Sequence, residues 1–232
     1  YKTGPIILPS EPIDLFFDIE FDTMRDFCYL HGFVERRGGI SGKETFINFF
    51  ADQVDPKDEE QVFRDAYTFM TSRPDCAIFY YAPYEWTTYK KLQAKYPGVC
   101  SASDIDRLFE RPETVDLYTD IVKKLTEWPT RDMTIKTLAQ FLGFKWRDAN
   151  PSGAASIRWF DDWISTSDPG MKQRILDYNE DDCVSTWKLR DWLEGLRAEL
   201  VAAGTDVDRP VPPEATVSEE RHERDQQVHD LR

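Results

Sequence analysis

The first strand-like segment of the sequence carries two acids where acids are costly. Asp18 and Glu20 alternate with apolar residues in LFFDIEFD. Alternate residues of a β-strand lie on one face, so the two carboxylates emerge together, about 7 Å apart. Like charges beside a core need a compensating cation, and a divalent metal takes carboxylate oxygens. By itself the pattern equally fits an exposed edge strand, and Asp58 and Glu60 repeat the spacing in a predicted helix.

Two later segments carry acids that could join the first pair. Tyr178 and Asp182 are four residues apart in a helical pattern and therefore share one helix face. Glu85 follows a strand and lies at the start of a helix. Each also has an ordinary explanation, because surface pairs have the first spacing and the helix dipole favours an acid at the second position. Asp116 is a fallback acid at a place that also suits a helix start.

In this order along the chain, the acids resemble the pattern of the DEDD exonucleases, which have a ribonuclease-H-like fold, in their tyrosine subclass (DEDDy). The sequence around them is similar to the ribonuclease-H-like domains of predicted RecB-family nucleases over nearly all of residues 13–195. The similarity lies in FFDIEFD, YYAPYEWTTYKKL, VDLY, TIKTLAQFLGFKWRD, ASIRWFDDW and YNEDDC. The histidine subclass has a His five residues before the last Asp, where this chain has Asp177.

The resemblance implies a metal-dependent 3′→5′ exonuclease that hydrolyses phosphodiester bonds of DNA or RNA with two divalent ions, Mg²⁺ or Mn²⁺. It implies that Asp18 bridges the ions, that Glu20 and Asp182 complete the shell of the first, and that Tyr178 orients the attacking water. Glu85 would hold the second ion, although most such exonucleases have Asp at the matching position.

Five further side chains are candidates for substrate binding. Phe21, Tyr81 and Trp86 flank the acids and could stack on a terminal base of a single strand or 3′ end. Arg158 could contact a phosphate, as could Lys136. Core packing explains the three aromatic residues as well, and an exposed helix face explains the two cations.

Histidine and cysteine chemistry is disfavoured by where these residues fall. Of the three histidines, only His31 lies outside the C-terminal tail, so Ser-His-Asp and Cys-His catalysis are poor hypotheses. The cysteines lack the close spacing of a zinc or iron–sulfur site and indicate reduced thiols in a cytoplasmic protein. They are Cys28, Cys76, Cys100 and Cys183.

The elements that must position these residues follow an α/β order. Three strand patterns at hairpin spacing predict an antiparallel meander, and a fourth apolar strand predicts a sheet centre. These strands are 13–22, 27–36, 43–50 and 76–82. Helical patterns cover 58–72, 84–96, 115–125, 135–143, 153–165 and 171–203. With the resemblance, the expected fold is a ribonuclease-H-like mixed sheet, in which parallel strands follow the meander, flanked by helices.

One domain is expected at 13–203, with a lead-in linker at 1–12 and a disordered linker and polar tail at 204–232. The net charge is -14, from 43 acids against 29 Lys and Arg, which is unfavourable for a partner made of phosphates. We therefore expect weak binding by this chain alone. A neighbouring nuclease or helicase domain of a larger nucleic-acid-processing protein, of the kind used in DNA repair, would supply affinity. No apolar run reaches the roughly 18 residues of a membrane helix.

Two alternatives stay open. The chain could be a catalytically weak or inactive nuclease fold that serves nucleic-acid binding or protein assembly, as the acidity and the Glu85 substitution would allow. It could also be an endonuclease that uses the same acids without a pocket for a strand end.

Overall fold

The computed structural model describes residues 6–39 and 42–205, and the chain within them begins with three strands. β1 (Ile13–Asp22), β2 (Phe27–Arg37) and β3 (Lys43–Phe50) form the expected antiparallel meander. All three are rich in the aromatic and β-branched residues that suit a pleated, half-buried surface. The meander was thus correctly predicted from sequence.

Two parallel strands extend the sheet on the other side of β1. They are β4 (Cys76–Tyr80) and β5 (Thr114–Asp116), and the strand order is β3-β2-β1-β4-β5. β1 is therefore the central strand, antiparallel to one neighbour and parallel to the other. Its residues are covered on both faces, so the acids that it carries cannot be those of a solvated edge strand.

Seven α-helices flank the sheet within the described residues. They are α1 (Pro56–Thr71), α2 (Tyr84–Lys95), α3 (Ala102–Glu110), α4 (Lys123–Leu125), α5 (Ile135–Phe141), α6 (Gly153–Thr166) and α7 (Pro169–Ala202). The longest, α7, begins where the Asp168 side chain accepts a hydrogen bond from the amide of Gly170 and Pro169 occupies the first turn.

Two parts of the helical prediction were wrong. The segment 115–125 was expected to be one helix, but Thr114–Asp116 pairs with β4 and only then does a π-helical turn, Leu117–Val122, lead into α4. The helical turn begins only after the strand, where the Asp116 carboxylate caps it by accepting from the Thr119 amide at 2.9 Å. The other is α3, which was not predicted from sequence and begins with a capping box between Ser101 and Asp104.

The core consists of a layer on each face of the sheet. On one face Phe17 stacks on Phe33, with ring centroids 4.8 Å apart, in a cluster completed by α1, α2 and α3. On the other face Phe16 stacks on Phe79 at 5.4 Å and packs against α7. Because side chains alternate along β1, the even-numbered residues that follow Phe16 also face α7.

A buried ion cluster fixes α7 against the sheet. The fully buried guanidinium of Arg36 on β2 donates to Asp191 on α7 at 2.7 Å and to Asp14 on β1 at 3.1 Å. Arg190 adds a second contact to Asp14 at 3.3 Å. Removing one partner of such a cluster would leave an uncompensated buried charge, so these contacts set the place of α7 on β1 firmly.

The predicted linkers lie largely outside the described residues, which exclude 1–5 and 206–232. Residues 6–12 have no regular secondary structure except a bend at the end, and Leu8 is buried there in the core on the α7 side. In the described part of the chain, no helix combines the length and the apolar character needed to cross a membrane.

Gly32→Ala should destabilise the protein by about 1–3 kcal/mol, the usual cost of overpacking a core. Gly32 on β2 is the pairing partner of Asp18, and a Cβ added there would fall 1.6 Å from Oδ1 of the buried Asn179 on α7. Urea unfolding measures the loss. Gly195→Ala is the matched control, since Gly195 is exposed on α7 with nothing within 4 Å of an added Cβ. The control should be as stable as the wild type or gain up to about 1 kcal/mol, and equal stability of the two variants would contradict the packing.

Candidate metal centre

Three carboxylates converge where β1 passes under α7. Asp18 and Glu20 project from the α7 side of β1, and Asp182 comes from α7 itself. One ligand oxygen of each lies within 4.8 Å of the others. The period-2 spacing on the strand and the anchoring of α7 together produce this convergence, from residues more than 160 positions apart in sequence. We call this group the carboxylate cluster.

Two members of the carboxylate cluster are held by donors from other elements. The Asn179 amide donates to Oδ2 of Asp18 at 2.8 Å, and the indole Nε1 of Trp146 donates to Oδ1 of Asp182 at 2.7 Å. Asn179 and Asp182 lie within one turn of each other on α7. Both carboxylates are therefore oriented before any ligand is bound.

Glu20 is held by a buried hydroxyl pair. The phenol of Tyr29 donates to Oε2 of Glu20 at 3.4 Å and lies 2.8 Å from Oγ of Ser156 on α6. Tyr29 in turn stacks on Phe160 with centroids 4.2 Å apart. The sheet and α6 thus position the third carboxylate through a longer hydrogen bond than those to the other two.

A lysine and the predicted tyrosine complete the surroundings. Nζ of Lys136, at the second position of α5, donates to the phenol oxygen of Tyr178 at 2.6 Å and lies 3.7 Å from Oδ2 of Asp182. Tyr178 is buried, with its ring edge-on to Trp159 at 6.0 Å. The structure therefore places Tyr178 beside the carboxylate cluster.

Burial raises the pKa of every carboxyl in the cluster, and repulsion from other members raises it further for Asp18 and Glu20. Burial, followed by the charges of Asp182 and Glu20, raises the pKa of Asp18. Burial, followed by the charge of Asp182, raises the pKa of Glu20 to about 8. Burial also raises the pKa of Asp182, against the opposing effect of Lys136. Without a further cation, the cluster therefore holds protons that ordinary carboxyls have lost at neutral pH.

Tyr178 keeps its proton as well. Burial, followed by the charges of Asp182 and Glu20, raises the pKa of its phenol. The group is therefore a hydroxyl throughout the physiological range and can donate a hydrogen bond, but it is a poor base.

The residues present fit a divalent cation. The donors are carboxylate oxygens alone, which suits the hard ions Mg²⁺ and Mn²⁺. Lys136 supplies one positive charge against the three carboxylates, so the fully ionised cluster keeps an excess of negative charge that a dication would offset. The carboxylate cluster is therefore a plausible metal site by charge and by chemistry, and it contains three of the four predicted ligands.

Glu85, the fourth predicted ligand, lies beside the carboxylate cluster and outside its 4.8 Å group. It is buried at the start of α2, and its charge contributes to the raised pKa of Asp18. Its Oε2 is buried without a hydrogen-bond partner among the described residues. The fallback acid Asp116 is committed elsewhere, since its Oδ1 accepts from the amides of Ala82 and Thr119, each at 2.9 Å.

The predicted substrate contacts are placed in two different ways. Trp86 stacks on Phe109 with centroids 6.1 Å apart, the phenol of Tyr81 donates to a backbone carbonyl, and Phe21 packs half-buried against the core. These aromatic residues therefore have packing partners within the protein. Arg158 is exposed on α6.

His31 lies outside the carboxylate cluster. It is fully buried, with Nδ1 3.1 Å from the phenol oxygen of Tyr89, and burial lowers its pKa to about 3. It is therefore neutral and part of the core. The four cysteines are free thiols, as expected from their spacing.

A protein-family comparison matches residues 15–194 to the model described as the RNase_H superfamily. The chain belongs to the RNase H superfamily. Membership confirms the ribonuclease-H-like fold predicted from the resemblance, and it makes a nuclease the class of function that the fold supports. No curated protein matches the chain.

One solved structure gives a weak structural match to this superfamily member. It is product-bound exonuclease I, with a TM-score of 0.42 and 15% identity over 73% of this chain and 46% of that chain. The chain thus spans less than half the length of that exonuclease I.

The residues that sequence reasoning undervalued are Lys136, Trp146 and Asn179, whose hydrogen-bond partners are distant in sequence.

The metal-free protein should lose stability as the pH rises from about 5 to about 8. The pKa of Glu20 is raised from 4.5 to about 8, so the folded state holds a proton that the unfolded state has released. The contribution of this proton to the free energy of unfolding is fully present below the pKa of Glu20 in the unfolded state. It is lost as the pH rises through the pKa of Glu20 in the folded state. Adding Mn²⁺ at high pH should restore stability, because the ion binds the folded state. Thermal melting against pH, with and without Mn²⁺, measures both effects.

Asp18→Asn is the informative variant for this prediction. It removes one of the repelling charges, so the metal-free variant should exceed the wild type in stability by about 1 kcal/mol at high pH, where one pKa unit is worth ~1.4 kcal/mol. It should also lose the response to Mn²⁺. Asp162→Asn, at an exposed position of α6, is the control and should behave as the wild type. A flat pH profile for the wild type would contradict the prediction.

Proposed function

We propose that the protein is a metal-dependent 3′→5′ exonuclease that hydrolyses the phosphodiester bonds of DNA or RNA. The observation that carries the proposal is the convergence of Asp18, Glu20 and Asp182 within 4.8 Å on an RNase H superfamily fold. Tyr178 beside the cluster supports the tyrosine subclass among the DEDD exonucleases, and hence action at a strand end.

The proposed site residues have two roles, binding the metal ion and orienting the attacking water. Asp18, Glu20 and Asp182 would hold Mg²⁺ or Mn²⁺, which when bound polarises a phosphate and activates water. Tyr178 donates its hydroxyl proton to orient the attacking water, a role that its raised pKa favours over that of a base. In the reaction a water oxygen would bond to phosphorus and the bond to the 3′-oxygen would break. A nucleoside monophosphate would leave, and the 3′-oxygen of the shortened strand would take up the proton that the water loses.

Glu85 is the proposed ligand of a second ion. Its buried oxygen without a hydrogen-bond partner is the kind of polar atom that a cation would satisfy. Its longer side chain replaces the Asp of most such exonucleases. The two-ion mechanism that the resemblance implies therefore depends on Glu85 at the position where this chain departs from the family.

Nucleic acid is the proposed partner, but the chain is poorly equipped to bind it tightly. The net charge of -14 opposes phosphate binding. Arg158 is exposed on the helix that also carries Ser156, and it remains the proposed phosphate contact, with Phe21, Tyr81 and Trp86 as proposed base contacts. We propose that an adjoining nuclease or helicase domain supplies most of the affinity, in a cytoplasmic protein.

A second candidate function is a nuclease fold that binds nucleic acid or assembles with proteins while cutting slowly or not at all. The position of Glu85 outside the carboxylate cluster favours it, because a weak second site would slow hydrolysis. Net acidity is consistent with the same function.

Asp182→Asn should reduce hydrolysis at least about 100-fold, since removing a metal ligand removes charge stabilisation in the transition state. Tyr178→Phe should reduce it less, by about tenfold, because it removes one oriented hydroxyl and no ligand. The assay follows the stepwise shortening of a 5′-labelled single strand with Mn²⁺. Asp162→Asn is the control, and thermal melting checks that each variant is folded. Full activity of Asp182→Asn would end the assignment.

Circular single-stranded DNA separates the competing functions. An exonuclease should degrade a linear strand and leave the circle intact, because a circle has no 3′ end. Cutting of the circle would instead establish an endonuclease. If neither substrate is cut while Mn²⁺ still raises the melting temperature, the nuclease proposal fails and the binding module replaces it.

A further inference from the structure

Lys136 is partly exposed on the short helix α5, but its ammonium reaches the candidate site. The side chain is 32% exposed, yet its Nζ lies 2.6 Å from the phenol oxygen of Tyr178 and 3.7 Å from Oδ2 of Asp182. The same ammonium is 4.7 Å from the centroid of the Tyr178 ring. Lys136 therefore contacts both the proposed water-orienting residue and a proposed metal ligand.

The contact with Tyr178 determines which way the phenol proton can point. An ammonium has donors only, so in this pair Lys136 donates and the phenol oxygen accepts. The hydroxyl proton of Tyr178 must then be directed to a different acceptor. That acceptor is the Asp182 carboxylate, which lies one turn further along α7 on the same face, and the hydrogen bond between the two groups lowers the pKa of Asp182 and raises that of Tyr178.

The loop after α5 confines Lys136 from another side. Trp146 donates to Oδ1 of Asp182 at 2.7 Å, while Lys136 approaches Oδ2, so the two oxygens of this carboxylate have different neighbours. The Lys136 ammonium also lies 5.8 Å from the centroid of the Trp146 ring. Aromatic rings, a phenol oxygen and a carboxylate thus surround the charge in a defined place.

We propose that Lys136 is a positioning residue of the nuclease site. It holds the phenol oxygen of Tyr178 as an acceptor, so that the hydroxyl proton is directed at Asp182 and the carboxylate cluster, where the attacking water would be held, and its charge offsets that of Asp182. The inference rests on the proposed function and adds to it a residue outside the acidic pattern. It differs from a direct phosphate contact, in which Lys136 would act on the substrate independently of Tyr178.

A double-mutant cycle between Lys136 and Tyr178 tests the dependence. Lys136→Met and Tyr178→Phe should each lower kcat by about tenfold with KM little changed, and the double variant should be no slower than the slower single variant. Losses that multiply to about 100-fold would show two independent actions and overturn the proposal. A rise in KM with unchanged kcat for Lys136→Met would also overturn it, in favour of a phosphate contact.

Mn²⁺ binding provides a readout that does not depend on activity. Removing a positive charge 3.7 Å from a ligand oxygen strengthens the attraction of the carboxylate cluster for a dication. Lys136→Met should therefore bind Mn²⁺ at least as tightly as the wild type while cutting more slowly. A purely structural role predicts the opposite sign, because a loosened Asp182 would weaken binding. Weaker Mn²⁺ binding, measured by calorimetry or by the Mn²⁺ dependence of melting, would contradict the proposal.

Two further variants keep the test decisive. Lys136→Arg retains donors and charge and should recover part of the lost kcat. Lys124→Met removes an exposed lysine of α4 that pairs with Asp120 at 3.0 Å, and should leave kcat, KM and Mn²⁺ binding unchanged. If Lys136→Met is unfolded in a melting assay, Lys136→Arg carries the cycle with Tyr178→Phe, and multiplied losses there overturn the proposal.

Failure of this inference can be told apart from failure of the proposed function. If the wild-type protein neither cuts a linear strand nor binds Mn²⁺, the nuclease assignment fails before Lys136 is tested. If the wild type cuts and Lys136→Met cuts equally fast, the assignment stands and the positioning role is wrong.

Discussion

The structure depends on holding the three carboxylates of the cluster close together at a buried place, where water solvates their negative charge poorly. At the 4.8 Å that bounds the carboxylate cluster, two ionised carboxylates repel each other by about 3 kcal/mol at an effective dielectric constant near 20. Three such groups therefore act against the fold unless they hold protons or share a cation. Burial raises the pKa of Asp18, Glu20 and Asp182, and for Asp18 and Glu20 the charges of other cluster members raise it further.

The fold resists this repulsion with contacts that lie away from the cluster. The buried Arg36 joins Asp14 on β1 to Asp191 on α7, roughly two and a half turns beyond Asp182. Nearer the cluster, Gly32 leaves room for Asn179 to reach Asp18. β1, β2 and α7 are thus held together at two places along α7. The contacts there come from a cation, Arg36, and from a neutral amide, Asn179, so they add no negative charge to the carboxylate cluster.

Sequence reasoning found the acids because their spacing is local. The alternation of Asp18 with Glu20 and the four-residue step from Tyr178 to Asp182 each define a face without knowledge of the fold, and the family resemblance predicted that the faces meet. The three-stranded meander was predictable for the same reason. β5 was not, since three residues carry little pattern and their pairing with β4 is a tertiary contact.

The supports of the site escaped prediction on physical grounds. Lys136, Trp146 and Asn179 contact partners 42, 36 and 161 residues away, and nothing in the neighbouring sequence marks them. A single lysine near the start of a helix equally fits an exposed helix face, which was the alternative explanation of Lys136 from sequence. The capping box of α3, in contrast, was visible in Ser101 and Asp104 and could have been used.

Glu85 differs from the three carboxylates of the cluster in how the fold holds it. The three carboxylates of the cluster are each held by a donor from another element, so a first ion would meet oriented ligands. Glu85 lies outside the 4.8 Å group, and one of its oxygens is buried without a partner among the described residues. A cation held by Glu85 would satisfy that oxygen and offset the charge that contributes to the raised pKa of Asp18. The convergence of three carboxylates therefore follows from the scaffold alone, whereas the proposed role of Glu85 depends on a single side chain that lies apart from them.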